Sequence, residues 1–134
     1  MKISLWGIGM LLSVVSFSQT ISAARSAAIG STVTVTGIVL NGAELGPIRY
    51  IQDATGGIAA YSSSMLTNIL RGDSVTVSGV TKQYNNLLEI DPVSSAVKHT
   101  SGNALPAPAA LPTATLYSEV YESQLVRLTN VTFS

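Results

Sequence analysis

From Thr32 onward, apolar and polar residues alternate with a period of two. Thr32–Leu40 reads TVTVTGIVL; Val33 and Val35 alternate with threonines, and such β-branched residues predict a half-buried strand. Ile48–Asp53 and Ile58–Ser62 predict a second and third strand. The Asp53-Ala54-Thr55-Gly56-Gly57 stretch between them predicts a tight connection, because Asp accepts from turn amides and Gly tolerates positive φ. Asp73–Gln83 predicts a fourth strand, and its approach from Gly72 to Gly79 repeats the grammar of Gly30 to Gly37. After a turn at Asn85-Asn86, Leu87–Val97 predicts a fifth, with Leu88 and Ile90 alternating against Glu89 and Asp91. Gly37 and Gly79 interrupt two of these strands, the bends that a small closed barrel needs.

Two stretches depart from that period. Ile21–Ala28 predicts a short helix with Thr20 as N-cap and Gly30 as its stop. Met65, Leu66, Ile69 and Leu70 fall on one helical stripe behind Ser63 or Ser64 and ahead of Gly72, which predicts a short capping helix that plugs one end of the barrel. At the start, Lys2, an apolar run from Ile3 to Val15 and the small-x-small sequence Ser16-Phe17-Ser18 predict a secretory signal peptide over 1–18. The run is shorter than the roughly 20 residues that span a bilayer, so no membrane segment is expected after cleavage. Residues 20–99 are then the barrel domain, and 100–115 an Ala/Pro linker carrying Pro106, Pro108 and Pro112. Leu116–Val120 predicts a turn of helix and Gln124–Phe133 one more alternating strand. Residues 116–134 therefore either add an edge strand to the barrel or open a second domain.

Composition narrows the chemistry. Of 134 residues, 46% are hydrophobic and 10% charged, which excludes a disordered chain and leaves room for one domain. Seven basic residues balance seven acidic ones. The absence of Cys rules out disulfides, thiolate nucleophiles and Cys-bound zinc, and His99 is the sole histidine. No serine-hydrolase, zinc-protease, phosphate-loop or calcium-loop pattern occurs, so no catalytic residue, metal or cofactor is expected. Glu89 and Asp91 share a strand face and read as solvated edge charges before they read as ligands of a hard cation. Arg71-Gly72-Asp73 reads as a helix stop followed by a strand start. Asn130-Val131-Thr132 matches a glycosylation sequon but falls within a strand.

The order strand, strand, strand, helix, strand, strand resembles the OB-fold, an all-β, five-stranded Greek-key barrel. TVTVTGIVL, IRYIQDATGGIAAY and RGDSVTVSGVTKQYNNLLEI together are similar to OB-type domains of exported bacterial multidomain proteins, often found beside extracellular nuclease or phosphatase-like modules. Tyr50-Ile51-Gln52-Asp53 with Gly56-Gly57-Ile58-Ala59 also resembles the strand-turn-strand of nucleic-acid-binding OB domains. Tyr121-Glu122-Ser123-Gln124-Leu125-Val126 resembles the opening of a tandem copy, with Ser123 where that opening carries Gly.

The resemblance implies a ligand groove on strands two and three. A turn over Ala54–Gly57 would set Tyr50 opposite Tyr61, turn Ile51, Ile58 and Ala60 to the core, and present Tyr50, Gln52, Ala59 and Tyr61 to the groove; Arg49 and Lys82 read as solvated surface charges before they read as one rim of it. The two tyrosines would stack on bases or sugar rings, or form an ordinary aromatic pair. The expectation is a secreted or surface-located, non-catalytic binding module for single-stranded nucleic acid or a similar extended polymer, joined to further domains of the same polypeptide. A structural spacer without a ligand, or an oligosaccharide- or protein-binding module, are the alternatives. Arg25, Arg49, Arg71, Lys82 and Lys98 are matched by Glu44, Asp53, Asp73, Glu89 and Asp91, which predicts weak affinity for phosphate.

Overall fold

A computed structural model describes residues 17–132. The predicted signal peptide falls almost wholly outside them. Five strands, β1 (Thr32–Val39), β2 (Ile48–Gln52), β3 (Gly57–Tyr61), β4 (Ser74–Tyr84) and β5 (Leu87–Thr100), close into a barrel in the order β1-β2-β3-β5-β4. All neighbours are antiparallel except β3 and β5, which pair in parallel at Ala59↔Glu89 and Ala60↔Ile90. Alternation along the strands fills the interior: Val33, Val35, Val39, Ile51, Ile58, Ala60, Val75, Val77 and Ile90 are all buried in one cluster.

Both strand glycines stand where another strand crowds the backbone. A Cβ on Gly37 would lie 2.6 Å from the Gln52 carbonyl oxygen, at the point where β1 leaves β4 for β2. One on Gly79 would overlap the Pro92 carbonyl, and the β4–β5 register shifts on either side of it. At the β4–β5 turn, Asn85 and Asn86 have φ of 47° and 64°, the conformation that matches a two-residue hairpin to strand twist.

One end of the barrel is closed by α1 (Ile21–Ser26), the one short α-helix among the described residues. Thr20 Oγ1 caps it by accepting from Ala23 N at 3.2 Å, and Ile21 and Ala24 enter the core. At the other end the helix expected from Met65 to Leu70 is absent; the segment forms consecutive turns. Leu66 and Ile69 still plug the barrel, whereas Met65 and Leu70 stay exposed. A helix this short is marginal, and its carbonyls are already engaged: Arg49 Nε donates to Ile69 O at 2.7 Å and Lys98 Nζ to Asn68 O at 2.7 Å. Asp73 Oδ2 meanwhile takes the Leu70 amide at 2.8 Å.

Beyond the barrel, the predicted linker ends in a strand. β6 (Ala109–Pro112) pairs in parallel with β7 (Val126–Thr129) as a separate two-stranded sheet. The chain between them turns back over the barrel near α1.

Candidate functional site

The outward face of β2, β3, β5 and β4 divides into two halves. Its geometry starts at the β2–β3 turn, where Asp53 Oδ1 accepts from Thr55 N (2.7 Å), Thr55 Oγ1 (2.7 Å) and Gly56 N (3.0 Å) while Asp53 N donates to Gly56 O at 3.0 Å. The loop is therefore Asp53–Gly56, one residue earlier than expected. Pairing begins at Gln52↔Gly57 and continues through Tyr50↔Ala59 to Ile48↔Tyr61. Because both flanks move by one residue, the faces are kept: Ile51, Ile58 and Ala60 are 0% exposed in the core. The expected direct Tyr50–Tyr61 pair becomes a diagonal one, with Cα atoms roughly 7–8 Å apart in such a register.

The half nearest α1 is covered by the chain itself. In continuation of the Ala59↔Glu89 register, Gly57 faces the start of β5, yet the ladder stops there. An ion pair bridges the seam instead. Arg25 Nη1 donates to Gly57 O at 3.0 Å and to Glu122 Oε1 at 3.1 Å, and the same Glu122 oxygen accepts from Leu88 N at 3.2 Å. Gln52 Oε1 accepts from Leu125 N at 2.8 Å, and a Cβ on Gly57 would overlap the Ser123 carbonyl. One of the expected groove residues, Gln52, is thereby withdrawn from solvent at 8% exposure, and Ala59, between Tyr50 and Glu89 in the sheet, is 0% exposed.

The other half is an open cleft of about 590 Å³. Leu45 and Pro47 of the β1–β2 loop form one bank, the β4–β5 hairpin with Tyr84, Asn85 and Leu87 the other, and Ile48, Tyr61, Lys82, Glu89 and Asp91 line the space between. Tyr61 and Tyr84 are well exposed. Lys82 Nζ bonds Asp91 Oδ2 at 2.6 Å and lies 5.6 Å from the centre of the Tyr84 ring. Its hydrogen bond with Asp91 is the main reason that its pKa is raised. Glu89 is 4% exposed, a correction to its reading as a solvated edge charge. Burial first, then the Asp91 charge, raise its pKa, against the opposing pull of Lys82.

Of the predicted site residues, the structure brings Tyr61 and Lys82 to this cleft, leaves Tyr50 half-buried and outside its lining, puts Gln52 under the covered half, and buries Ala59 opposite Glu89. Arg49 is not on a rim. It is 2% exposed, on the core side with Ile51, and its guanidinium donates to the carbonyls of Gly46 (2.7 Å), Ile48 (2.8 Å) and Ile69 (2.7 Å). Strand parity already contained that placement, since residues 49 and 51 share a face. Tyr84, Leu87 and Glu89 were missed; a two-residue turn at Asn85-Asn86 opposes Tyr84 to Leu87 and Lys82 to Glu89, so the same parity argument could have found them. His99 lies elsewhere, its Nε2 2.7 Å from Thr76 Oγ1. Among the described residues no cluster of His, Cys, Asp and Glu could hold a metal ion, and no helix is long and apolar enough to cross a membrane.

Comparison with known proteins adds a fold and a context. No protein-family model matches the chain. It is 37% identical over 123 residues to a protein of Bacillus subtilis (strain 168) named endonuclease YhcR; the match covers 82% of this chain and 10% of that protein. The chain therefore resembles one small part of a much larger, nuclease-named polypeptide. The solved structure of the hypothetical protein ygiW from E. coli superposes with a TM-score of 0.52 at 22% identity, over 62% of this chain and 90% of that one. That likeness concerns the barrel alone.

Proposed function

We propose that this chain is a non-catalytic, OB-type binding module of a larger exported protein, and that it holds single-stranded nucleic acid or a similar extended polymer in the cleft between the β1–β2 loop and the β4–β5 hairpin. The cleft itself carries the reading: about 590 Å³ with tyrosines at 61 and 84 exposed along it, a size and make-up suited to a ligand fragment. Aromatic faces accept any base, at about 1–3 kcal/mol per stacked base. The strand order, with a parallel β3–β5 closure, supports the OB assignment, and the match to part of a nuclease-named protein supports the polymer. The apolar N-terminal run supports export.

Electrostatics set the affinity. Arg25 is paired with Glu122, Lys82 with Asp91 and Lys98 with Asp73, and Arg49 is buried, so few cations are available to track phosphates. Binding should be weak and its salt slope shallow. Fluorescence anisotropy with labelled single-stranded DNA and with soluble glycans at low salt tests the module: binding that falls in Tyr61→Ala and Tyr84→Ala supports it. A chain that binds neither probe is a spacer.

A further inference from the structure

Glu89 is the odd group of the cleft. It stands in the middle of the outward face, opposite Lys82 on β4 and Ala59 on β3, 4% exposed yet lining the cleft. Among the described residues no hydrogen bond ends on its carboxylate, and its oxygens stay open to the cleft although the rest of the side chain is buried. The adjacent cation does not supply one, because the Lys82 ammonium is held by Asp91 at 2.6 Å. The charged lining, one lysine against Glu89 and Asp91, is net acidic and repels phosphate. Whatever enters must present hydrogen-bond donors to Glu89, and apolar or aromatic surface to Tyr61 and Tyr84.

We propose that Glu89 is the specificity-determining residue of the cleft, accepting hydrogen bonds from the N–H edge of an unstacked base, and that guanine fits best. The inference rests on the nucleic-acid reading above and names the part of the polymer recognised: a base, with the phosphates left outside. Guanine offers two adjacent donors, N1–H and the N2 amino group, which match the two carboxylate oxygens. Cytosine and adenine offer one amino donor beside a ring acceptor. Thymine offers one N–H between two carbonyls, which would face the carboxylate unfavourably. Paired contacts of this kind discriminate roughly ten- to hundredfold between bases.

The test is a titration of the whole chain at low salt with labelled eight-residue oligo-dT carrying a single central dG, dI, dC, dA or dT. The expected order is dG tightest, by about tenfold or more over all-dT, with inosine, which lacks the N2 amino group, in between. In Glu89→Gln the dG advantage over all-dT should vanish, because the amide oxygen no longer offers two acceptors to the paired guanine donors and its N–H₂ can donate to a thymine carbonyl. Equal affinity for all five oligonucleotides in the unmutated chain overturns the inference and leaves the cleft reading standing; because that panel uses no variant, it does not depend on Glu89→Gln folding. A dG advantage that persists in a folded Glu89→Gln overturns it as well. If no oligonucleotide binds and a soluble glycan does, both the nucleic-acid reading and the base-reading role fail, and the cleft belongs to sugar hydroxyls.

Discussion

The two halves of one sheet face have opposite fates. Near α1, residues 119–125 lie against Gln52 and Gly57, and the Arg25–Glu122 pair fills the gap where β3 and β5 stop pairing. Between the β1–β2 loop and the β4–β5 hairpin the same sheet carries Tyr61, Tyr84 and Lys82 into solvent. The strands are alike in alternation and differ in what the chain lays over them. In the covered half Arg25, Glu122 and Gln52 are tied to internal partners that stabilise the fold, and Ser123 Oγ is buried without one among the described residues, whereas in the open half Glu89 lines the cleft with no hydrogen bond from them on its carboxylate. The first half should answer to mutation in stability and the second in binding.

That contrast is open to breakage. The largest effect should come from inside the barrel, at the end that Leu66 and Ile69 plug: Arg49→Ala strands three carbonyls that its guanidinium satisfies and should cost about 3 kcal/mol or more in urea denaturation. A rim residue would show a far smaller change. In the covered half, Glu122→Ala removes the acceptor of Leu88 N and the partner of Arg25. It should cost about 1–3 kcal/mol and leave ligand affinity nearly unchanged; a loss of binding without a loss of stability would reverse the assignment of the halves. In the open half, Tyr84→Ala should change stability by less than about 0.5 kcal/mol yet weaken polymer binding by about 1–3 kcal/mol, read by anisotropy and by thermal denaturation of the same preparation.

The smallest effects should appear in pH dependence, with opposite signs. Asp53 and Asp73 both sit below the ordinary value of 3.8. For each, burial pushes upward but is outweighed, at Asp53 by Thr55, Ile21 and Gly56 and at Asp73 by Leu70, Ser101 and Lys98. Their stabilisation is present above that value and is lost as pH falls through their lower folded values. Glu89 is raised above 4.5, so ionising it destabilises the fold as pH rises from 4.5 through its folded value. It is faced by Asp91 on its own strand, Lys82 and Tyr84 on β4 and Tyr61 on β3. Urea denaturation from pH 3 to 7 should lose stability at the acid end, and Glu89→Gln should remove the opposing decline above 4.5. An unchanged profile in that variant would mean that Glu89 is solvated.

Much of the barrel was readable in advance because period-two alternation is a local property: each β-branched residue favours extended backbone wherever it ends up, and parity assigned Ile51, Ile58 and Ala60 to the interior before any partner was known. The glycines at 37 and 79 marked sites where a side chain does not fit. The segment from Met65 to Leu70 misled because its apolar spacing suits a helix, while the groups that claim its carbonyls, Arg49 and Lys98, are distant in sequence. The Tyr50–Tyr61 pairing failed by one loop position, since Asp53 chose to close the turn on itself.

The order of amino acids alone determined which residues could face inward and where the chain had to bend, because sterics and β-propensity act between near neighbours. Tertiary structure alone decided which outward residues meet water. The union of Arg25 with Glu122 across 97 positions, the loss of Gln52 beneath a returning segment, and the position of Glu89 in the cleft without a hydrogen-bond partner among the described residues all depend on where distant chain comes to lie, a quantity that no short stretch of sequence contains.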